Sequence, residues 1–326
     1  MKAITLSDFG GPEMMRFTEV ETPVPGDNQV LIRVKATSVN RPDIIQRQGN
    51  YPAPPGDSEI LGLEVAGIVE AIGGKVTRYA PGDSVVSLVG GGGYAEYALA
   101  LENHTMAIPD SISFEQAACI CETYITAYLN LFMLAELEGK QSVLIHGGGG
   151  GVATAAIQLC KALSADTEIF VTASPTKIER VKQQGADHVI DYQTEDFAAE
   201  VKRISEKRGV DVILDHIGAK YLDSNLKSLA VGGCIMLIGV MGGIKAEINL
   251  AMMMVKRQRI IGSVLRSRPV DEKASIIRQF EQTVMPLFAS GTISPLIHAS
   301  FGLNEAAQAH ELMEQGGHFG KIVLLP

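Results

Sequence analysis

Residues 142–161 read "SVLIHGGGGGVATAAIQLCK": an apolar run, five consecutive glycines from Gly147 to Gly151, then an amphipathic run. Each glycine loses more backbone freedom on folding than any other residue, so an unbroken run needs a reason. A parallel strand followed by a tight turn, a closely approaching ligand and a closely packed helix supplies one. Gly148-x-Gly150-x-x-Ala153 fits the dinucleotide fingerprint G-x-G-x-x-G/A. A helix that starts there turns unpaired N–H groups and a partial positive charge toward a pyrophosphate. The alternative reading is a plain structural turn.

Outward from this point, strand and helix alternate. "SVLIH" (142–146), "EIFVTA" (168–173), "HVID" (188–191), "VDVILDHIG" (210–218) and "CIMLIG" (234–239) are predicted strands, and "RIIGSVL" (259–265) closes the sheet. Predicted helices lie at 150–163, 175–184, 194–206 and 219–230; Pro175 opens the second and Gly185 stops it. Alternation of this length means a doubly wound parallel sheet. Residues 1 to about 120 differ: short alternating runs such as "QVLIRVKATSV" (29–39), "VAGIVEAIG" (65–73) and "DSVVSL" (83–88) are separated by Gly, Pro and Asp turns. They imply a mostly antiparallel, partly closed β barrel, to which "GKIVLLP" (320–326) is expected to return. The fold class is therefore α/β, a Rossmann sheet plus a second β domain.

The residues after the second strand bear on which dinucleotide is bound. An NAD site carries an acid at the far end of that strand. Glu168 has the sequence spacing but begins the strand. The far end is Ser174, Pro175, Thr176 and Lys177, a hydroxyl and a cation suited to a 2′-phosphate. NADPH is preferred; an exposed helix-start lysine is the other reading of Lys177.

The 326 residues are 46% hydrophobic and 20% charged, an ordinary globular composition with room for two cores. The net charge of −9 argues against a nucleic-acid or anionic-membrane partner. The basic cluster "KRQRIIGSVLRSR" (256–268) is read as a solvated surface beside a strand. No apolar run is long enough to span a membrane, and "MKAITLSDFGG" lacks a signal peptide's apolar segment. Cys119, Cys121, Cys160 and Cys234 are sparse and in apolar surroundings, so buried free thiols and a cytoplasmic location are expected.

Together, "SVNRPDIIQRQGNYPAPPG" (38–56), "ILGLEVAGIVEAIG" (60–73), "GDSVVSLVGGGGYAEY" (82–97), "ETYITAY" (122–128), "VLIHGGGGGVATAAIQL" (143–159), "GADHVIDYQTEDF" (185–197), "LIGVMGG" (237–243), "GSVLRSR" (262–268) and "GKIVL" (320–324) make the chain resemble the zinc-independent quinone oxidoreductases of the medium-chain dehydrogenase/reductase superfamily. The best fit is the p53-inducible quinone-oxidoreductase-like branch. The resemblance implies a GroES-like domain over 1–123 and 267–326, a Rossmann domain over 124–266, and an active site in the cleft between them.

The resemblance also implies roles. Asn40 lies beside the nicotinamide, and Gly150, Gly151 and Val152 lie under the pyrophosphate. Ser174, Lys177 and Tyr192 surround the 2′-phosphate, and Ile217 and Gly218 approach the adenosine ribose. Gly239, Met241, Val264 and Leu265 flank the nicotinamide and its ribose, with Tyr128 and Lys321 as weaker carry-overs. Tyr51, on the stiff loop "GNYPAPPG" (49–56), is placed over the nicotinamide, where it can stack on a flat quinone and hydrogen-bond its oxygen; an ordinary pKa near 10 keeps the O–H at pH 7, so it could also donate the proton. Asn40 and Tyr51 are the candidate catalytic residues. The bland readings stay open: Asn40 and Asp43 as a helix cap, Tyr192 as a surface aromatic, Tyr51 as a residue packed on prolines. Met252 to Met254 are read as core filler. Ala153 stands where relatives often have glycine.

No metal is expected. The positions that hold zinc-ligating Cys and His in zinc-dependent relatives look like Asn40 and Leu63, and neither is a normal zinc ligand. Without zinc to lower an alcohol's pKa, reduction of a readily reduced electrophile is the chemistry left. A quinone is the leading substrate. An enone or enoyl reductase, or a non-catalytic NADPH-binding protein, are the alternatives. The apolar "RIIGSVL", as a sheet edge, suggests a homodimer.

Overall fold

The computed structural model describes residues 1–326. Fifteen strands run in chain order: β1 (Lys2–Leu6), β2 (Met15–Glu19), β3 (Gln29–Val39), β4 (Glu64–Ile72), β5 (Ser84–Leu88), β6 (Tyr97–Leu101), β7 (Thr105–Ala107), β8 (Ser142–Ile145), β9 (Glu168–Ala173), β10 (His188–Asp191), β11 (Val210–Asp215), β12 (Leu229–Leu237), β13 (Arg259–Gly262), β14 (Ile297–Gly302) and β15 (Lys321–Leu325). They divide between two compact units, one formed by Met1–Ile125 with Arg266–Pro326 and the other by Thr126–Leu265. No helix is long and apolar enough to cross a membrane. All four cysteines are buried and free.

The first unit is built on β3, whose "QVLIRVKATSV" has the two-residue period of a half-buried strand. Val30, Ile32 and Val34 point to one face and pack with Val65, Val69, Val85, Ala98 and Ala100. β4 and β6 pair with β3 antiparallel, and the C-terminal β15 returns to pair with its far end. The sheet runs β14-β15-β3-β4-β5-β7, antiparallel except for the parallel β14–β15 pair. A second core gathers Val39, Ile44, Leu61 and Tyr94 with Leu303, Ala306, Ala309 and Met313. The helices Val270–Thr283 and Ala306–Gln315 of this unit have no counterpart in the sequence reading.

The second unit is a six-stranded parallel sheet in the order β10-β9-β8-β11-β12-β13. The chain winds outward from β8 to β10, then crosses back to β11 and winds the other way. The direction therefore switches between β8 and β11, where open α/β sheets bind ligands at the strands' carboxyl ends. β9 and β10 have the expected limits. β12 starts at Leu229, five residues before its expected start and inside the helix expected over 219–230, which ends at Ser228; "AVGG" is an irregular stretch inside the strand, with Gly232 at φ +83°. β13 ends at Gly262 and forms the sheet edge. Of the three methionines read as core filler, Met254 is exposed and only Met252 packs partly on the core. Their helix, Leu250–Lys256, has no fully buried residue, so one face gains contacts and the rest meets solvent.

Candidate active site

In the parallel-sheet unit, the glycine turn follows β8 and the helix Gly151–Leu163 begins directly after it, with Gly150 as its N-cap. Gly147 has φ +67°, and a Cβ there would lie 2.6 Å from the His216 ring. Only glycine meets both conditions. A Cβ on Gly148 would strike Val171 of β9 at 2.4 Å, so this glycine lets the turn pack on the neighbouring strand. A Cβ on Gly149 would lie 2.4 Å from Lys177 Cδ: the lysine's stem crosses the glycine turn. Lys177 is half-buried, and burial, with Arg180 nearby, lowers its pKa. Ser174 caps the short 3-10 turn that carries Lys177. Glu168 sits at the opposite end of β9 and pairs with His188 at 2.9 Å.

The remaining residues expected at the cofactor in this unit follow the same rule. Tyr192 comes after β10, Ile217 and Gly218 after β11, Gly239 and Met241 after β12, Val264 and Leu265 after β13. All lie just past the carboxyl end of a parallel strand. Asp215, at the end of β11, accepts from the backbone N–H of Ile217 at 2.7 Å and of Gly218 at 3.2 Å and so shapes that turn. Tyr128 does not belong to any of these turns. It lies on the helix Cys121–Tyr128, buried, with its ring stacked on Phe132.

In the β unit, Asn40, Lys321 and Glu64 form one buried cluster. Glu64 Oε1 accepts from Ser38 Oγ at 2.5 Å, Asn40 Nδ2 at 2.9 Å and Lys321 Nζ at 3.1 Å. Its other oxygen accepts the Glu122 backbone N–H at 2.9 Å. Lys321 Nζ also donates to Asn40 Oδ1 at 2.5 Å. Both ends of the Asn40 carboxamide are thus engaged and its orientation is fixed. The Asn40 backbone N–H donates to Asp43 Oδ2, so Asp43 also does the capping work of the bland reading. Burial raises the Asp43 carboxyl to about 6, against the Asn40 and Gly62 N–H donors that lower it.

Tyr51 lies under the Arg266 guanidinium, whose carbon is 5.1 Å from the ring centroid. Arg266 is buried and donates from Nε to Gly90 O at 2.9 Å. This corrects the reading of 256–268 as a solvated face, since Arg266 points into its own unit. Tyr51 also departs from the ordinary value near 10: burial, then the nearby Glu122, raise it to about 12, with Arg266 opposing. Glu122 is itself raised to about 8, by burial first and by Glu64 second. The sequence reading did not single out Glu64, Glu122 or Arg266. A carboxylate opening an otherwise apolar helix, as in "CETYITAY", was the available signal for Glu122. Glu64 stood beside Leu63, where only the missing zinc ligand was considered.

Residues 26–110 match the family described as alcohol dehydrogenase GroES-like domain, and residues 184–324 the one described as zinc-binding dehydrogenase. The quinone oxidoreductase of Rattus norvegicus is 35% identical over 100% of this chain and 98% of its own. The chain belongs to the quinone oxidoreductases of the medium-chain dehydrogenase/reductase superfamily. Among solved members, the Escherichia coli quinone oxidoreductase, in complex with NADPH, superposes with a TM-score of 0.91 at 28% identity, each chain fully covered. The CurK enoyl reductase reaches 0.89 at 28%, over 99% of this chain and 98% of that one.

The donor set here does not fit the zinc that one of the matched family descriptions implies. Asn40 and Leu63 offer neither thiolate nor imidazole, the neighbouring Glu64 carboxylate is already paired with Lys321, and no group of three or more His, Cys, Asp and Glu side chains is placed to hold an ion. A dinucleotide does fit: the turn excludes a side chain at Gly147 and Gly148, opens a thirteen-residue helix and lies beside the sheet's switch point.

Proposed function

We propose that this quinone oxidoreductase reduces quinones with NADPH by direct use of its cofactor, without a metal. The observation that carries the reading is the gathering of the glycine turn and the 174–177, 217–218 and 239–241 turns at the carboxyl edge of one parallel sheet. When bound, NADPH supplies a hydride. The chain's residues bind and orient. N–H groups at Gly151 and Val152 hold the pyrophosphate, and Lys177 and Ser174, with Tyr192, hold the 2′-phosphate. Ile217, Gly218, Gly239, Met241, Val264 and Leu265 shape the remainder, and Tyr128 supports the fold around it.

Asn40 and Tyr51 act on the reacting groups. Asn40, fixed by Glu64 and Lys321, presents a rigid carboxamide. Tyr51 keeps its proton throughout the neutral range, so its O–H donates to the substrate oxygen as charge builds there. A reduced quinone can also take its proton from water, so the hydrogen bond, and not a proton transfer, is what this role of Tyr51 requires. Enone reduction at the same site is the second reading, favoured by the similarity to an enoyl reductase.

Steady-state NADPH oxidation across a panel of small quinones and enones tests this. Quinone turnover above enone turnover is expected. Tight NADPH binding with no turnover of either class would make the protein a non-catalytic NADPH binder. We further propose a homodimer through β13: the edge strand is flanked by exposed Met254, Val255 and Val264. A light-scattering mass near 34.8 kDa at micromolar concentration would overturn that. The four buried free thiols support a cytoplasmic location.

A further inference from the structure

A single chain of buried hydrogen bonds joins the end of β9 to the turns after β8 and β11. Its directions follow from one charge. Asn225 Nδ2 donates to Asp215 Oδ2 at 3.1 Å, which leaves Asn225 Oδ1 to accept from His146 Nε2 at 2.7 Å. His146 therefore carries its proton on Nε2, and its Nδ1 accepts from Thr172 Oγ1 at 3.0 Å. Thr172 Oγ1 in turn accepts the Gly147 backbone N–H at 3.3 Å. At the other end, Asp215 accepts the N–H groups of Ile217 and Gly218. Thr172, His146, Asn225 and Asp215 are each at most 1% exposed. The imidazole is boxed by Phe197 and Tyr221, with ring centroids at 5.0 and 4.9 Å. Burial pushes its pKa down to about 3, which agrees with a neutral ring.

A buried ring that donates on one side and accepts on the other connects two groups that cannot bond each other. Here the groups are Thr172 and Asn225, which lead on to the first residue of the glycine turn and, through Asp215, to the 217–218 turn. Thr172, on β9, lies two residues before Ser174. We propose that His146, as its Nε2–H tautomer, is a positioning residue that holds the glycine turn, the end of β9 and the 217–218 turn in one arrangement for the dinucleotide. It touches no ligand and acts through Thr172 and Asn225. The proposal rests on the NADPH reading above.

The test is binding, read by the change in nicotinamide fluorescence of NADPH, which suits a protein without tryptophan. Wild-type protein that does not bind NADPH would sink the functional reading itself. With wild-type binding in hand, His146→Leu should weaken NADPH by roughly tenfold or more, because Thr172 and Asn225 lose a buried partner. His146→Gln, which keeps a donor and an acceptor, should recover most of that loss. Adenosine 2′,5′-bisphosphate, which reaches only the adenosine end, should weaken in parallel in His146→Leu. Should His146→Leu fail to fold, Thr172→Val and Asn225→Leu break the two arms separately, and a linking histidine makes their combined effect smaller than the product of the single effects. Histidine ¹⁵N shifts of the wild type should report Nε2–H. Wild-type affinity in folded His146→Leu, no rescue by Gln, independent arms, or an Nδ1–H signature would each overturn the proposal.

Discussion

Lys321 Nζ lies 3.1 Å from Glu64 Oε1, and the two side chains are 5% and 0% exposed. They are 257 residues apart in sequence, one on the last strand and one at the start of β4. Removing one partner of a buried pair leaves a charge with nothing to neutralise it. Lys321→Met should therefore destabilise the protein by about 3–5 kcal/mol in urea unfolding. Adding Glu64→Gln should restore part of that loss; simple additivity would show that the pair is not coupled.

Tyr51→Phe keeps the ring under Arg266 and deletes the hydroxyl. It should lower kcat roughly tenfold or more, with NADPH affinity unchanged. Tyr51→Ala should also raise KM through lost stacking. Wild-type constants in both variants would make Tyr51 a packing residue.

Lys177→Glu replaces a cation that crosses the glycine turn with a carboxylate. NADPH binding should weaken by roughly 2–4 kcal/mol, and NADH binding far less. Gly149→Ala approaches the same point from the other side, since the new methyl would displace the Lys177 stem. Its thermal midpoint should stay near wild type while the NADPH/NADH affinity ratio falls. An unchanged ratio in both variants would remove Lys177 from the site.

Two kinds of buried group give stability opposite pH dependences. Glu122 is raised from 4.5 to about 8, so the native state holds its proton more tightly than the unfolded chain. Its contribution is complete below pH 4.5 and is lost as pH climbs to 8. His310, bonded to Tyr94 Oη and Arg47 Nη1, is pushed down by burial from 6.5 to about 3. Its contribution is present above 6.5 and is lost as pH falls toward 3. Thermal midpoints across pH should fall less steeply from 4.5 to 8 in Glu122→Gln, and less steeply from 6.5 to 3 in His310→Gln. Curves parallel to wild type would show that neither group titrates differently on folding.

The Asn40, Leu63 and Glu64 positions give zinc no adequate donor set. Prolonged dialysis against a strong chelator should leave quinone turnover unchanged, and metal analysis of the active protein should find zinc well below one ion per chain. Loss of activity restored by added zinc would contradict this.

The alternation of strand and helix, the limits of β3, β9 and β10, the glycine turn and the hydroxyl–cation pair after β9 were all determined by the sequence alone. Each depends on neighbours within a turn or a strand: a two-residue period, a φ only glycine tolerates, a side chain at a strand's end. The order of the parallel strands was not among these, because βα alternation is compatible with more than one doubly wound order; the pairing of β8 with β11 came from the fold. Only the tertiary structure decided which charges are buried and what they meet. Arg266 looked like part of a solvated basic run and instead covers Tyr51. Met254 looked like core and faces solvent. Glu64, Lys321 and Asn40 share one cluster, and His146 meets Asn225 across 79 residues. Burial sets the pKa of Tyr51, Glu122 and His146, and burial belongs to the packed chain. Local pattern carries secondary structure because its causes are short-range; a buried polar network is legible only once the strands that carry it lie side by side.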